Sequence, residues 1–404
     1  MANASRPSAD VNRTAILAHL GVHGPASRAD LARSLQVSPP LITQLTRDLL
    51  ADGLLEELSE STSRGGRPAR MLGLVSTGLS AVGVKIAPDH VALVEARIDG
   101  SVRRSSSVPF DARTPIAMAV LGDLIAGFIR DGAPDALVLG VGVGLPGSIA
   151  HQDEGVVDST QLGWNQVALG GLLRRALGLP VVLENNVNAL AIADKLFGEA
   201  QGVRDALIVT IGDGVGAGII AEGALVRGRA GGAGDFGHVP VREGGPLCQC
   251  GNRGCLEAVI GQNALVNDAR SIRLISDEEA IDEVRALADA GDADAKEIFA
   301  NAGRELGRAL AGVMNVLDPE LVVVHGEGVR AWAHWAPSFE LAVRGALVPG
   351  KRGIPIHVED WADERWALGA AALVLATPFD ADGVAGEQGR LVRERLVEST
   401  GTHA

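Results

Sequence analysis

The stretch Ala233-Gly-Asp-Phe-Gly-His238, followed by Cys248-Gln-Cys250-Gly-Asn-Arg-Gly-Cys255-Leu-Glu257, holds every cysteine of the 404-residue chain. The three thiols fall within eight residues, and His238 lies ten positions before the first. Three thiolates and one imidazole form a closed tetrahedral donor set for Zn2+. Four protein ligands leave no position open for an activated water, so zinc held by His238, Cys248, Cys250 and Cys255 is expected to be structural. Gly251 and Gly254 would let the backbone fold tightly around the ion. The competing reading is three free buried thiols, and the tight clustering favours the metal. An odd number of cysteines also fits a disulfide framework poorly.

The rest of the chain sets the context for that cluster. Apolar residues make up 47% and aromatics only 3%, with no Tyr, so large aliphatic cores are expected. The net charge of −14 argues against a surface coated in nucleic acid, but not against one small DNA-reading domain. No run of 18 apolar residues suggests a membrane-spanning helix. The first ten residues, MANASRPSAD, have no apolar signal core. The cytoplasm is the expected compartment.

From Ala81 onward, apolar strands alternate with helical patterns, the mark of an α/β body. Ala81–Ile86 with Val91–Ile98, and Ala206–Ile211 with Gly216–Ala221, suggest two hairpins, the second a distant echo of the first. Pro115–Arg130, Asn188–Phe197, much of 262–317 and Ala367–Leu375 suggest helices. Ala136–Val143, Val181–Leu183 and Leu321–His325 suggest buried strands. Residues 378–404 show no clear apolar face and are expected to form a loosely attached tail.

The first 75 residues differ. They hold eight Arg and no Lys against seven acidic residues. Helical spacing of Ile16, Leu17 and Leu20 marks a helix over 11–22. Ser27 and Asp30 form a capping box for a second helix, with Leu31 and Leu35 on its apolar face. Ser38 and Pro39 start a third, with Leu41, Ile42, Leu45 and Leu49 as its buried stripe. Leu54–Leu58 and Met71–Val75 suggest a two-stranded ribbon. Three helices and a ribbon describe a winged helix-turn-helix over residues 11–75. Its recognition helix would present Thr43, Gln44 and Arg47 to base edges or phosphates. The wing Arg64-Gly-Gly-Arg-Pro-Ala-Arg70 would offer Arg64, Arg67 and Arg70 to double-stranded DNA. A small protein-docking module is the plainer alternative.

The cysteine-histidine stretch is similar to the signature of the ROK family, whose name stands for repressors, open reading frames and sugar kinases. Gly142–Gly147, Glu184-Asn-Asn-Val-Asn188 and Gly212-Asp-Gly-Val-Gly-Ala-Gly218 fit the family pattern in order, so the resemblance covers residues 81–377. It implies a two-lobed, actin-like, sugar-kinase-like (ribonuclease H-like) body, with lobes at about 81–200 and 201–377. The regulator branch carries an added amino-terminal winged helix-turn-helix, which matches residues 11–75. The resemblance further implies sugar recognition between lobes, homodimers or homotetramers, and operators near sugar-utilisation genes. By motif position Asn185, Asn186, Asp235, His238 and Glu257 would face the sugar or sugar phosphate. Most members have Glu where this chain has Asp235.

Kinases of the family carry Glu-Asn-Asp-x-Asn, with the Asp as general base. Here that position is Asn186, and an amide takes no proton at neutral pH. The Asp-x-Gly-Gly-Thr of active kinases is replaced by Gly83-Val-Lys-Ile-Ala87, while the glycine turn Gly212–Gly218 is kept. The expectation is a DNA-binding regulator, with repression the expected mode, whose body senses a sugar without phosphotransfer. The alternative is an ATP-dependent sugar kinase with an accessory DNA-binding domain. Gly142-Val-Gly144-Leu-Pro-Gly147 also matches a dinucleotide-binding pattern. No helical face follows it, and it is set aside.

Overall fold

The computed structural model describes residues 16, 17, 19, 20, 24–35, 37–51, 54–58, 70–75, 79–132, 137–149, 153–377 and 386–401. Contacts divide the chain into two units, Met1–Gly202 with Trp366–Ala404, and Val203–Arg365.

The first unit begins with the helical residues Ile16, Leu17 and Leu20, all buried. The short strand β1 (Ala26–Ser27) leads into α1 (Arg28–Ser34), and α2 (Pro39–Ala51) follows. Ser27 caps α1 by accepting from the Asp30 N–H at 3.2 Å. The reciprocal bond runs from the Ser27 hydroxyl to the Asp30 carboxylate at 2.6 Å, not from the backbone as in a full capping box. α2 buries Ile42, Leu45, Thr46 and Leu49. The ribbon β2 (Leu55–Leu58) and β3 (Met71–Leu74) is antiparallel, and β1 adds a third strand beside β3. Two residues were too short a stretch for β1 to show in the sequence pattern.

The body of this unit is built on β4 (Leu79–Ile86), β5 (His90–Arg97), β6 (Val102–Pro109), α3 (Ala117–Arg130) and β7 (Leu137–Leu145). A small antiparallel sheet of β8 (Ser148–Ile149), β9 (Val157–Ser159) and β10 (Trp164–Val167) comes next. The chain then forms α4 (Leu169–Leu177), β11 (Val181–Asn185) and α5 (Asn186–Phe197). The main sheet has the order β11-β7-β4-β5-β6. β4, β5 and β6 form an antiparallel meander, and β7 and β11 run parallel to β4.

The second unit repeats this topology. Its strands are β12 (Ala206–Ile211), β13 (Val215–Ala221) and β14 (Ala224–Leu225), then β15 (Leu321–His325) and β16 (Ile356–Val358). The order β14-β13-β12-β15-β16 again joins an antiparallel meander to two parallel strands. Helices α6 (Leu256–Ile260), α7 (Gln262–Ser271), α8 (Ile281–Asp289) and α9 (Ala293–Leu317) lie between β14 and β15, and α10 (Trp332–Ala346) between β15 and β16. Its core gathers Val209, Val322, Leu306, Phe299, Trp335 and Phe339.

After α11 (Asp363–Ala376) the chain ends in α12 (Gly386–Gly401). Two expectations are corrected here. From Trp366 onward α11 belongs with the first unit, not with a lobe spanning 201–377. Its Ala367, Ala370 and Ala371 pack so closely on the sheet that Gly83 and Gly142 have no room for a Cβ. Residues 386–396 are not a loose tail either, since Val392 and Leu396 are buried. Gln388 Oε1 accepts from the Val181 N–H of β11 at 3.2 Å, and Arg395 donates to the Val138 carbonyl at 3.1 Å. Gln388, Val392 and Leu396 are spaced by four, so among the described residues this helix buries a narrow stripe.

Candidate functional site

The donor atoms of His238, Cys248, Cys250 and Cys255 all lie within 4.8 Å of one another. His238 Nδ1 is 3.5 Å from Cys248 Sγ, and Cys250 Sγ is 3.7 Å from Cys255 Sγ. A tetrahedral ion with bonds of about 2.3 Å needs donors about 3.8 Å apart, a spacing that these two pairs match, so the cluster could hold a metal ion.

The loop follows from its glycines and backbone bonds. Cys248 donates its N–H to the Asn252 carbonyl at 2.8 Å and accepts from the Gly251 N–H at 2.9 Å. This closes a tight turn under Cys250, and Gly251 has the positive φ of 90° that the turn requires. Gly254 combines φ 72° with a backbone so close to the Arg242 carbonyl that a Cβ would overlap it. Pro240 and Cys255 form an isolated bridge, which holds the third thiol beside the chain leaving His238. Burial pushes the Cys255 thiol up to about 12 and raises Cys248 as well. A backbone hydrogen bond at Asn252 lowers the exposed Cys250.

The centre connects to the glycine turn between β12 and β13. α6 starts directly after Cys255, and its Glu257 accepts from the Val215 N–H at 3.0 Å. Asp235 is exposed, and His238 and Glu257 are half-buried.

In the first unit, Asn185 ends β11 and caps α5. Its Oδ1 accepts from the Val187 N–H at 2.8 Å and the Asn188 N–H at 3.4 Å. Its Nδ2 donates to the Gly147 carbonyl at 2.9 Å. Asn185 therefore fills the capping role at the start of α5. Asn186 is the first helical residue, and its Oδ1 accepts from the Val187 N–H at 3.0 Å. Sequence reasoning passed over the buried Glu184, whose Oε1 accepts from the Asn185 N–H at 2.9 Å and from Asn188 Nδ2 at 3.2 Å. Glu184 stands in β11 and Asn188 in α5, so helical spacing does not signal the pair.

Thr43, Gln44 and Arg47 are exposed on α2, opposite its buried stripe. Arg64 and Arg67 lie outside the described residues. Arg70 is exposed and ion-paired with Glu57, at 2.5 Å. Glu57 also accepts from Arg28 at 3.1 Å, and Arg28 Nε donates to Thr46 Oγ1 in α2 at 2.9 Å. Among the described residues, no helix is long and apolar enough to cross a membrane.

The profile of the ROK family matches residues 81–377. The chain belongs to the ROK family. The DNA-binding transcriptional dual regulator NagC of Escherichia coli K12 is 30% identical over 378 residues, covering 90% of this chain and 92% of that protein. The crystal structure of a ROK family transcriptional regulator, a homologue of the E. coli Mlc protein, superimposes with a TM-score of 0.82 at 28% identity. It covers 96% of this chain and 99% of its own. A ROK family glucokinase from Streptomyces griseus, solved with glucose and AMPPNP, has a TM-score of 0.62 at 27% identity. It covers 73% of this chain and 98% of its own. The body is thus the actin-like sugar-kinase fold, shared within the family by regulators and kinases.

Proposed function

We propose that this ROK protein is a DNA-binding regulator of carbohydrate-utilisation genes, acting as a repressor, whose body binds a sugar or sugar phosphate and passes that event to the winged domain. Coverage carries the reading. The regulators NagC and the Mlc homologue match this chain over nine-tenths or more of its length, whereas the glucokinase spans 73% of it.

The ion suited to the His238, Cys248, Cys250 and Cys255 set is zinc. When bound it would cross-link the loop and keep the thiolates inert. With Nδ1 turned toward Cys248 Sγ, His238 would keep Nε2 for a sugar hydroxyl, and a bound ion would fix the ring orientation. Asp235 and Glu257 would accept from hydroxyls, and the Asn186 amide would donate to one. Asn185 would act mainly by holding Gly147 and the start of α5. The Asn186 amide cannot serve as a general base, which supports a sensor without phosphotransfer.

Thr43, Gln44 and Arg47, with Arg64, Arg67 and Arg70 of the wing, would contact operator DNA. A homodimer would set two recognition helices on a near-palindromic site. Sugar changes DNA affinity only to the extent that it binds the two states differently.

Sequencing of genomic fragments pulled down by the purified protein, with and without a sugar panel, tests the reading. Enrichment of a short palindrome beside sugar-uptake genes, altered by one sugar, is the expected result. Absence of any enriched site under all conditions would refute it. The kept turn Gly212–Gly218 is the one feature favouring the kinase alternative, and sugar-dependent ATP turnover would establish that alternative.

A further inference from the structure

The glycine turn between β12 and β13 is not empty of anionic partners. The Asp213 N–H donates to Glu327 Oε1 at 3.0 Å. The same carboxylate lies against Gly212, where a Cβ would overlap it. Glu327 stands in a short turn, Glu327–Ala331, directly after β15. Its neighbours Gly326 and Gly328 both face the Ile211 carbonyl oxygen: Gly326 has φ 99° and no room for a Cβ, and at Gly328 a Cβ would come to 3.0 Å. Glycines on both sides of Glu327 thus bring its backbone against the end of β12, and a third glycine admits its carboxylate onto the turn.

A glycine-rich turn binds a phosphoryl group for two physical reasons. Its N–H groups point outward unpaired, and the missing Cβ lets an oxyanion approach the backbone. Here both are already used by an oxyanion of the chain itself. The Val215 N–H, two residues on, is likewise occupied, by Glu257.

We infer that Glu327 is an internal oxyanion that closes the Gly212–Val215 turn to nucleotide phosphates. The kept glycines preserve a socket whose occupant is built in. This rests on the reading of the body as a sensor without phosphotransfer and adds the residue that excludes the nucleotide.

The test is calorimetric titration of the full-length protein with Mg2+-ATP and, separately, with inorganic tripolyphosphate. Glu327→Ala removes the occupant. Glu327→Gln keeps the socket filled with an acceptor of the same shape. Glu327→Ala is expected to bind both probes about ten- to a hundredfold more tightly than the parent, the scale of one or two hydrogen bonds to a charged group. Glu327→Gln is expected to stay at the parent level. Glu327→Ser, which also opens the socket, replaces the alanine variant if its unfolding midpoint is disturbed. No gain in the opened variant, an equal gain in Glu327→Gln, or parent protein that already binds as tightly as the opened variant would each overturn the inference. Sugar-dependent ATP turnover by the parent would instead overturn the sensor reading, so the two failures are distinguishable.

Discussion

Gly142 in β7 lies directly beneath the carbonyl oxygen of Ala370 in α11, so close that a Cβ at the glycine would overlap it. The obstacle is backbone, which no rotamer change can move aside. Gly142→Ala should therefore cost about 3 kcal/mol, the upper end of core overpacking. Gly144, the other glycine of the Gly142-x-Gly144 pair, meets only ordinary contacts, the nearest at 3.6 Å. Gly144→Ala should be nearly neutral. Denaturant unfolding of the two variants checks the contrast. Equal losses would show that the pair does not serve helix-on-sheet packing.

Glu57, in the amino-terminal ribbon, holds two arginines, Arg28 at 3.1 Å and Arg70 at 2.5 Å. Those bonds lower its own pKa, so the carboxylate stays charged at neutral pH. On the surface proposed to approach phosphates, this charge would oppose binding and compete for both guanidinium groups. Glu57→Gln should raise DNA affinity several-fold. It should also steepen the dependence of log affinity on log salt by about one for each arginine released, as counterion release requires. Fluorescence anisotropy across a salt series reads both. An unchanged slope with weaker binding would mean that Glu57 instead orients Arg70 for its contact.

The sequence made the cluster of His238, Cys248, Cys250 and Cys255 legible because cysteine is rare in this chain and the spacing of donors is a local property. It made the two faces of α2 legible because Ile42, Leu45 and Leu49 bury one face, which leaves Thr43, Gln44 and Arg47 exposed on the other. The meander β4 to β6 was only partly visible. β6 is an edge strand whose Arg and Ser residues lack the apolar alternation of its neighbours. α10 was passed over because Pro337 stands inside it. Glu327 escaped because its role depends on Gly212, more than a hundred residues earlier. Local pattern carries no information about such a pair.

The thiols supply a pH dependence whose sign can be worked out. With no ion bound, burial raises Cys255 to about 12 and Cys248 above its ordinary value, so at neutral pH both hold protons. A metal ion must displace those protons to bind. Metal affinity should therefore rise with pH and fall on acidification, by up to about one decade per pH unit for each thiol displaced. Competition with a chromogenic chelator between mildly acidic and mildly basic pH measures the slope. A flat profile would argue against thiolate ligation. Removing the ion should also free the start of α6, release the Glu257 bond to Val215 and weaken the response to sugar. A sugar response that survives complete chelation would separate the metal from sensing.

α12 covers a sheet edge. β11 is the terminal strand of its sheet, and the Val181 N–H at its start is satisfied by the Gln388 side chain rather than by a further strand. Val392 of the same helix reaches the glycine face of β7, where a Cβ at Gly140 would meet its Cγ2 at 3.4 Å. Two separate costs follow from disturbing this helix. Leu396→Ala should remove about 2–5 kcal/mol through the cavity it leaves. Gln388→Ala should cost about 1–3 kcal/mol, because a buried N–H loses its acceptor. Deletion of residues 386–404 would combine both losses and expose a strand edge able to pair with another copy. The truncated protein should show a lower unfolding midpoint and concentration-dependent aggregation by light scattering, while each point variant stays monodisperse. A truncated protein as stable and as monodisperse as the full chain would mean that α12 adds nothing to the sheet it lies on.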